Sequence, residues 1–174
     1  YATDMEAFKN KLYKGDADLL AWPISKSPST KGVHRPVEEL PPEVAALWTY
    51  NPTKAKQLLA EAGYPNGFKA KIVSRGIPIF IDPLSVVKDQ WSKVGIDLEI
   101  QPKETAVFAS ITNGRNYEEM IFMATTPHAE EVRGLDGQYG DSNDNVSYVG
   151  VDAKVEEAFL KIQPLILVNE DEIH

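Results

Sequence analysis

The stretch Asn51-Pro52-Thr53-Lys54-Ala55-Lys56-Gln57-Leu58-Leu59-Ala60-Glu61-Ala62-Gly63 carries its own start and stop signals, and Tyr64-Pro65-Asn66-Gly67 and Phe68-Lys69-Ala70-Lys71-Ile72-Val73-Ser74 follow it directly. Asn51 is a side chain suited to cap first-turn amides, Pro52 suits the first helical position, and Gly63 suits the left-handed residue beyond the last turn. Ala55, Leu58, Leu59 and Ala62 recur at helical spacing, which predicts a helix over 52–62 with one apolar face. Residues 64–67 are turn chemistry, and residues 68–74 alternate before becoming apolar, the signature of a strand.

The same grammar repeats downstream. Asp82 and Pro83 repeat the cap arrangement, Leu84, Val87, Trp91 and Val94 keep helical spacing, and Gly95 closes the segment. Ile96-Asp97-Leu98-Glu99-Ile100 alternates strictly and reads as a second strand. After Pro102 a helix is predicted over about 105–112, with Val107, Phe108 and Ile111 inward and Asn113-Gly114 closing it, and residues 117–123 supply a third strand. The order β-α-β-α-β predicts a parallel α/β sheet with right-handed crossovers. Ligands are then expected beyond the strand carboxyl ends, at residues 74–78, 101–105 and 124–127.

Upstream, Met5, Phe8 and Leu12 predict a short amphipathic helix over 3–14, capped by Thr3 or Asp4 and stopped by Gly15. Residues 22–42 hold Pro23, Pro28, Pro36, Pro41 and Pro42 among Ser, Lys and Gly, which predicts an ordered surface excursion, with one helical turn after it at 43–48. Residues 124–150 lack any periodicity, a loop length usually reserved for functional or mobile segments. Asp152 caps a last helix carrying Val155, Ala158, Phe159 and Ile162, and Pro164 is expected to kink or end it.

Composition sets the outer limits. The 174 residues are 43% hydrophobic and 25% charged, within the range of a folded globular domain and enough for one ordinary core. A net charge of -8 with no basic run argues against nucleic acid and anionic membrane surfaces. The absence of cysteine removes disulfides, thiolate metal sites and cysteine nucleophiles together. The longest apolar runs, such as 77–81 and 165–168, fall far short of the roughly 20 residues that span a bilayer, so no membrane insertion of this segment is expected. Tyr1 in place of an initiator methionine, and a C-terminal stretch 155–174 without a closing signal, lead to the expectation of a piece cut from a longer protein.

Catalytic and metal signatures are weak. His34, His128 and His174 stand alone, outside any zinc spacing. Asp141-Ser142-Asn143-Asp144-Asn145 has oxygen ligands at alternate positions but Val146 where a calcium loop needs Gly, and reads as a polar turn. The pairs Glu38-Glu39, Glu118-Glu119, Glu130-Glu131 and Glu156-Glu157 are sequence neighbours that diverge on a helix or strand, and read as solvated charges. Trp91 reads as core, whereas Trp22 and Trp48 flank the proline-bearing excursion and pin it or line a groove.

The segment Tyr50 to Phe68 closely resembles the family 5 extracellular solute-binding proteins, the dipeptide, oligopeptide and nickel receptors of ABC importers, whose Y-[DN]-P-x-K-A-K-x-L-L-x-E-A-G-[YF]-P-x-G-F stretch it matches almost throughout. Other segments resemble the family in the same order: Leu12-Tyr13-Lys14-Gly15, the proline-bearing loop, Leu84 to Ile100, Tyr117 to Phe122, and Asn145 to Tyr148 with Asp152 to Phe159. The resemblance implies a lobe of a type II periplasmic-binding-protein fold, similar to the third domain of dipeptide-binding proteins. Residues 1–174 would form that single α/β lobe, without the lobe holding both termini. It implies a binding role and no catalysis: capture of a peptide or similar small solute, delivery to ABC permease subunits, no cofactor, and a periplasmic or extracellular place, membrane-associated through the full-length protein. Ala124-Thr125-Thr126-Pro127-His128-Ala129-Glu130-Glu131 stands where many peptide-binding relatives carry a Gly-Trp pair and an Asp-Pro-rich loop, which leaves the ligand class open.

The expected ligand-binding residues are Ala124, Thr125, Thr126 and His128 after the third strand, Arg75 after the first, where a guanidinium could meet a carboxylate, and Trp22. The rival reading is a small α/β enzyme, a hydrolase or transferase, drawing Asp82, Asp141 and His128 together across the strand ends.

Overall fold

The computed structural model describes residues 1–19, 26, 28, 30–123, 137, 139–141, 146 and 150–165. The chain divides into two compact units, one of Tyr1–Leu19 with Val37–Ala124 and one of Leu20–Pro36 with Thr125–His174.

In the first unit the expected helix over 3–14 is broken up. One α turn, α1 (Met5–Ala7), is capped by Asp4, whose Oδ1 accepts from the Ala7 amide at 2.9 Å, and it widens into a π turn over Phe8–Leu12. Only Phe8 of the predicted stripe is buried, too little packing to hold a regular short helix. After a 3₁₀ turn at Val37–Glu39, α2 (Pro42–Ala45) opens on Pro42 and tightens into a second 3₁₀ turn at Ala46–Trp48. The next helix, α3 (Pro52–Glu61), follows the sequence reading closely. Asn51 Oδ1 accepts from the Lys54 amide at 2.9 Å, and Gly63 takes φ +91° past the end.

The core is a parallel sheet. β1 (Phe68–Arg75) leads through α4 (Pro78–Ser92) to β2 (Ile96–Lys103), then through α5 (Thr105–Asn113) to β3 (Met120–Phe122). The strand order is β2-β1-β3, with Phe68 opposite Ile96, Arg75 opposite Lys103, and Ile72 opposite Met120. The two crossovers run in opposite directions along the sheet, so a common right-handed sense puts their helices on opposite faces. Packing agrees with that requirement. Ala70 and Ile72 of β1 and Ile96 and Leu98 of β2 join Ala55, Leu84 and Val94 in one cluster, with Met120 and Phe122 packed against it. Val73 joins Phe108 of α5 and Tyr117 on the other face, with Ile111, Ile121 and Met123 alongside.

The α4 boundary departs from expectation. The helix starts on Pro78, with Ile77 as its cap residue, and the predicted cap pair Asp82-Pro83 lies inside it. Proline in a sixth helical position has no N–H to offer the preceding turn. Here Phe80, Pro83 and Leu84 are all buried, so packing against the sheet outweighs the local preference for a break. The second strand runs on through Pro102 to Lys103, and the third is shorter than the predicted 117–123. Pro102 is tolerated because, among the described strands, β2 is paired on one edge only.

The strands begin on a pair of glycines. Gly67 (φ +76°) and Gly95 (φ +96°) both adopt left-handed backbone conformations, and their main chains touch. A Cβ on Gly67 would collide with the Gly95 carbonyl, a backbone atom that cannot move aside. The N-terminal residues fasten the same unit. Asn51 N donates to Tyr1 O at 2.9 Å, Asp4 N to the buried Gln90 Oε1 at 2.8 Å, and Trp91 Nε1 to Thr3 Oγ1 at 2.9 Å.

In the second unit, fully buried Thr30 accepts at its carbonyl from Val33 N and His34 N, at 3.0 and 2.8 Å. Gly137 and Tyr139 are helical, where the sequence predicts an unpatterned loop. The last helix, α6 (Ala153–Ile162), is capped by Asp152 as predicted, with Oδ1 accepting from Lys154 N at 2.9 Å. A 3₁₀ turn at Gln163–Leu165 then ends it around Pro164.

Two substitutions test this core by urea denaturation. Leu98→Ala, at a position with no exposure, is expected to cost about 3 kcal/mol. Gly67→Ala is expected to cost at least about 2 kcal/mol, because it adds a backbone collision to an unfavourable φ.

Candidate functional site

A parallel sheet presents its carboxyl strand ends and the starts of its crossover helices on one edge. Here that edge carries Arg75 at the end of β1, Lys103 at the end of β2, and the first turns of α4 and α5. Arg75 and Lys103 are register partners, and Gly76 N donates to Lys103 O at 2.8 Å, which extends the pairing one residue beyond the strand. Neither helix start has a side-chain cap: Ile77 has no polar side chain, and Glu104 makes no capping bond. At α4 Pro78 has no N–H and Phe80 N donates to Ile77 O, so the first-turn amides of α5, Ile79 N and the two cations are what make this edge attractive to an anion.

Arg75 is the centre of the arrangement. Its guanidinium carbon lies 5.5 Å from the Phe80 ring centroid and 5.5 Å from the Phe108 ring centroid. Phe80 is 8% exposed and Phe108 1%, so both rings are fixed in the core, and Phe80 also packs edge-on against Phe122. The half-buried guanidinium thus meets rings from helices on opposite faces of the sheet through cation–π contacts. Among the described residues, its Nε is buried without a hydrogen-bond partner and no ion pair includes it. A buried donor without a partner is costly, so Arg75 is held here by its ring contacts and not by a hydrogen bond from Nε to any described residue.

Beside Arg75, Ser74 has no exposure and donates from Oγ to Phe122 O at 3.2 Å, tying β1 to β3 just below the site. Charge elsewhere on the sheet is spent locally. Lys71 donates from Nζ to Glu118 at 3.1 Å, and that hydrogen bond holds the ammonium above its ordinary pKa. Lys69 faces Asp97 at 4.0 Å. These are exposed pairs at the amino half of β1, worth little to stability and away from the carboxyl edge. No group of acidic or histidine side chains able to hold a metal occurs among the described residues.

Of the residues expected from sequence, Arg75 stands at the predicted strand end. Ala124, Thr125, Thr126, His128 and Trp22 lie outside the described residues. For the rival enzyme reading, Asp82 is exposed on α4 and does not cap it, Asp141 is exposed with its amide donating to Glu156 Oε2 at 2.8 Å, and His128 is outside the described residues. Phe80, Phe108 and Lys103 belong to the site and were not singled out by sequence reasoning. The β1–β2 register is the signal that reaches Lys103, while Phe108 reads in sequence only as an inward helix position and Phe80 only as part of the apolar run 77–81.

The model of the bacterial extracellular solute-binding proteins, family 5 middle region, matches residues 1–145. Heme-binding protein A of Haemophilus influenzae is 27% identical over 83% of this chain and 23% of its own length. Glutathione-binding protein GsiB of Escherichia coli K12 is 31% identical over 46% of this chain and 17% of its own. The chain therefore spans about a quarter or less of these relatives. Among solved structures, the periplasmic binding protein DppA of Helicobacter pylori in complex with the peptide STSA superposes with a TM-score of 0.63, at 22% identity, covering 92% of this chain and 30% of that one. The oligopeptide-binding protein AppA of Bacillus subtilis in complex with a nonapeptide gives 0.62 at 21%, over 92% and 33%. The fold is that of the type II periplasmic binding proteins.

The orphaned Nε makes a prediction about the fold alone. Arg75→Met removes a buried donor that has no partner among the described residues and sets a thioether against the rings that the guanidinium meets, so stability in urea is expected to stay within about 1 kcal/mol or to rise.

Proposed function

The chain belongs to the bacterial extracellular solute-binding proteins of family 5, and from that premise we propose that it forms one lobe of a receptor that captures a peptide or similar small solute for an ABC importer. The solute lies against the carboxyl edge of the β2-β1-β3 sheet and is enclosed when a second lobe closes over it. The observation that carries this reading is Arg75, a half-buried guanidinium at the end of β1 that lies 5.5 Å from the Phe80 and Phe108 ring centroids and joins no ion pair among the described residues. A receptor for soluble metabolites needs fixed donors that wait for their acceptor, and a rigid cation at a strand end supplies them without the cost of ordering a flexible side chain.

Arg75 receives a carboxylate, with Lys103 adding positive charge and the first-turn amides of α5 completing the anionic subsite. From the sequence alone, Ala124, Thr125, Thr126, His128 and Trp22 stay as candidates for further contacts with the solute. An extended peptide would be held chiefly through its main chain, which suits a receptor that tolerates varied side chains. The loaded receptor docks on permease subunits in the periplasm or at the outer cell surface. Among the described residues no helix is long and apolar enough to cross a membrane. The family and its structural neighbours are solute-binding proteins, and no observation favours the rival hydrolase or transferase reading.

Thermal shift of the complete receptor against peptides, nickel chelates and sugars tests the class of solute. A rise in unfolding temperature with peptides supports the proposal, and the absence of any shift with every solute removes it. In the same receptor, Arg75→Gln is expected to weaken trialanine binding at least about tenfold by calorimetry. That magnitude corresponds to losing one charge-assisted hydrogen bond of roughly 1.5–3 kcal/mol.

A further inference from the structure

Glu118 and Glu119 read in sequence as two solvated charges, yet both come to a single residue of the neighbouring strand. Glu118 Oε2 accepts from the Lys71 ammonium at 3.1 Å, and Glu119 Oε2 accepts from the Lys71 backbone amide. Pairing between β1 and β3 covers only Ile72–Ser74 and Met120–Phe122, against eight residue pairs between β1 and β2. Lys71 and Glu119 each stand one residue before that short ladder, so the carboxylate adds a rung made by a side chain. At the other end Ser74 Oγ donates to Phe122 O at 3.2 Å, and the Phe122 ring packs edge-on against Phe80 with centroids 6.3 Å apart. β3 is therefore a strand of three residues with a side-chain fastening at each end.

We propose that Glu118 and Glu119 form a clasp that docks β3 as a separable strand of the sheet, and that Glu119 thereby acts as a positioning residue for the Phe122 and Phe80 rings beside Arg75. Three rungs hold β3 more weakly than eight hold β2, and all three of its residues are only half-buried, the properties of an element that opens on its own. A hydrogen bond to a charged acceptor is stronger than one between neutral groups, so on so short a strand the Glu119 bond is a large share of what keeps it docked. The exposed Lys71–Glu118 pair contributes less, as surface ion pairs do. With the clasp open, β3 leaves β1 while the β1–β2 seam stays closed. Phe122 goes with it, and Phe80 loses the edge contact that steadies it where it meets Arg75. This device concerns the fold of the lobe and stands whatever solute the receptor takes.

Hydrogen exchange of the complete protein, read at single amides by mass spectrometry with electron-transfer fragmentation, tests the clasp. Glu119 is exposed, so its replacement leaves the core volume unchanged. In Glu119→Ala the Lys71 amide and the amides of residues 120–122 that pair with β1 are expected to exchange about tenfold or more faster. The Gly76 amide, which donates to Lys103 O on the β1–β2 seam, is expected to exchange as before. Glu119→Gln keeps an oxygen acceptor without the charge and is expected to bring the Lys71 rate back to within about threefold, whereas Glu118→Gln changes it by about twofold or less. Modification of Arg75 by phenylglyoxal reads the positioning role: its rate is expected to rise about threefold or more in Glu119→Ala and to return in Glu119→Gln. An unchanged Lys71 rate in Glu119→Ala overturns the clasp. Equal acceleration at Gly76 overturns it as well, because the whole unit has then loosened and not β3 alone. Faster exchange at Lys71 and residues 120–122 with Arg75 reacting as before overturns the positioning role and leaves the clasp standing.

Discussion

Among the described strands, β1 alone is hydrogen-bonded on both edges, and its register with β2 controls the first unit. That register begins where Gly67 meets Gly95, because only residues without a Cβ allow the two main chains to approach so closely at positive φ. From there, period two does the sorting. Ala70 and Ile72 go to one face with Ile96, Leu98 and α4, and Val73 goes to the other with Phe108 of α5. A slip of one residue would put Lys71 into the core and Ile72 into water, so burial on both faces enforces the alignment.

The same alignment builds the site. Eight residues of parallel pairing carry Arg75 to the carboxyl edge beside Lys103, and opposite crossovers bring α4 and α5 to that edge from the two faces. Phe80 and Phe108 then grip the guanidinium from both sides. The stability of the core and the readiness of the site share these rings, since each is buried as a core residue and also presents a face to a cation. The buried Nε, without a hydrogen-bond partner among the described residues, is a local cost that is small against the packing of the sheet.

Much of the fold was legible because its signals are local. Asn51, Pro52 and Gly63 delimit α3, Asp152 caps α6, and alternation from Ile96 to Ile100 marks β2. The misreadings share one cause. At Asp82-Pro83 the local preference was for a helix start, and the burial of Phe80, Pro83 and Leu84 carried the helix back to Pro78. At residues 3–14 the helical spacing was present, but only Phe8 found a place in the core. Packing that depends on residues distant in sequence is invisible to periodicity.

The sequence by itself determined the order of helices and strands, the parallel α/β class, the resemblance to solute-binding proteins through residues 50–68, and the placing of Arg75 at a strand end. These rest on cap chemistry, hydrophobic period and turn residues, each readable within a few positions. Only the tertiary structure decided that β1 is central, that Phe80 and Phe108 meet at Arg75, and that its Nε is buried without a partner. Those facts depend on which elements pack on which face, and that choice is made when crossovers of fixed hand fold back over the sheet.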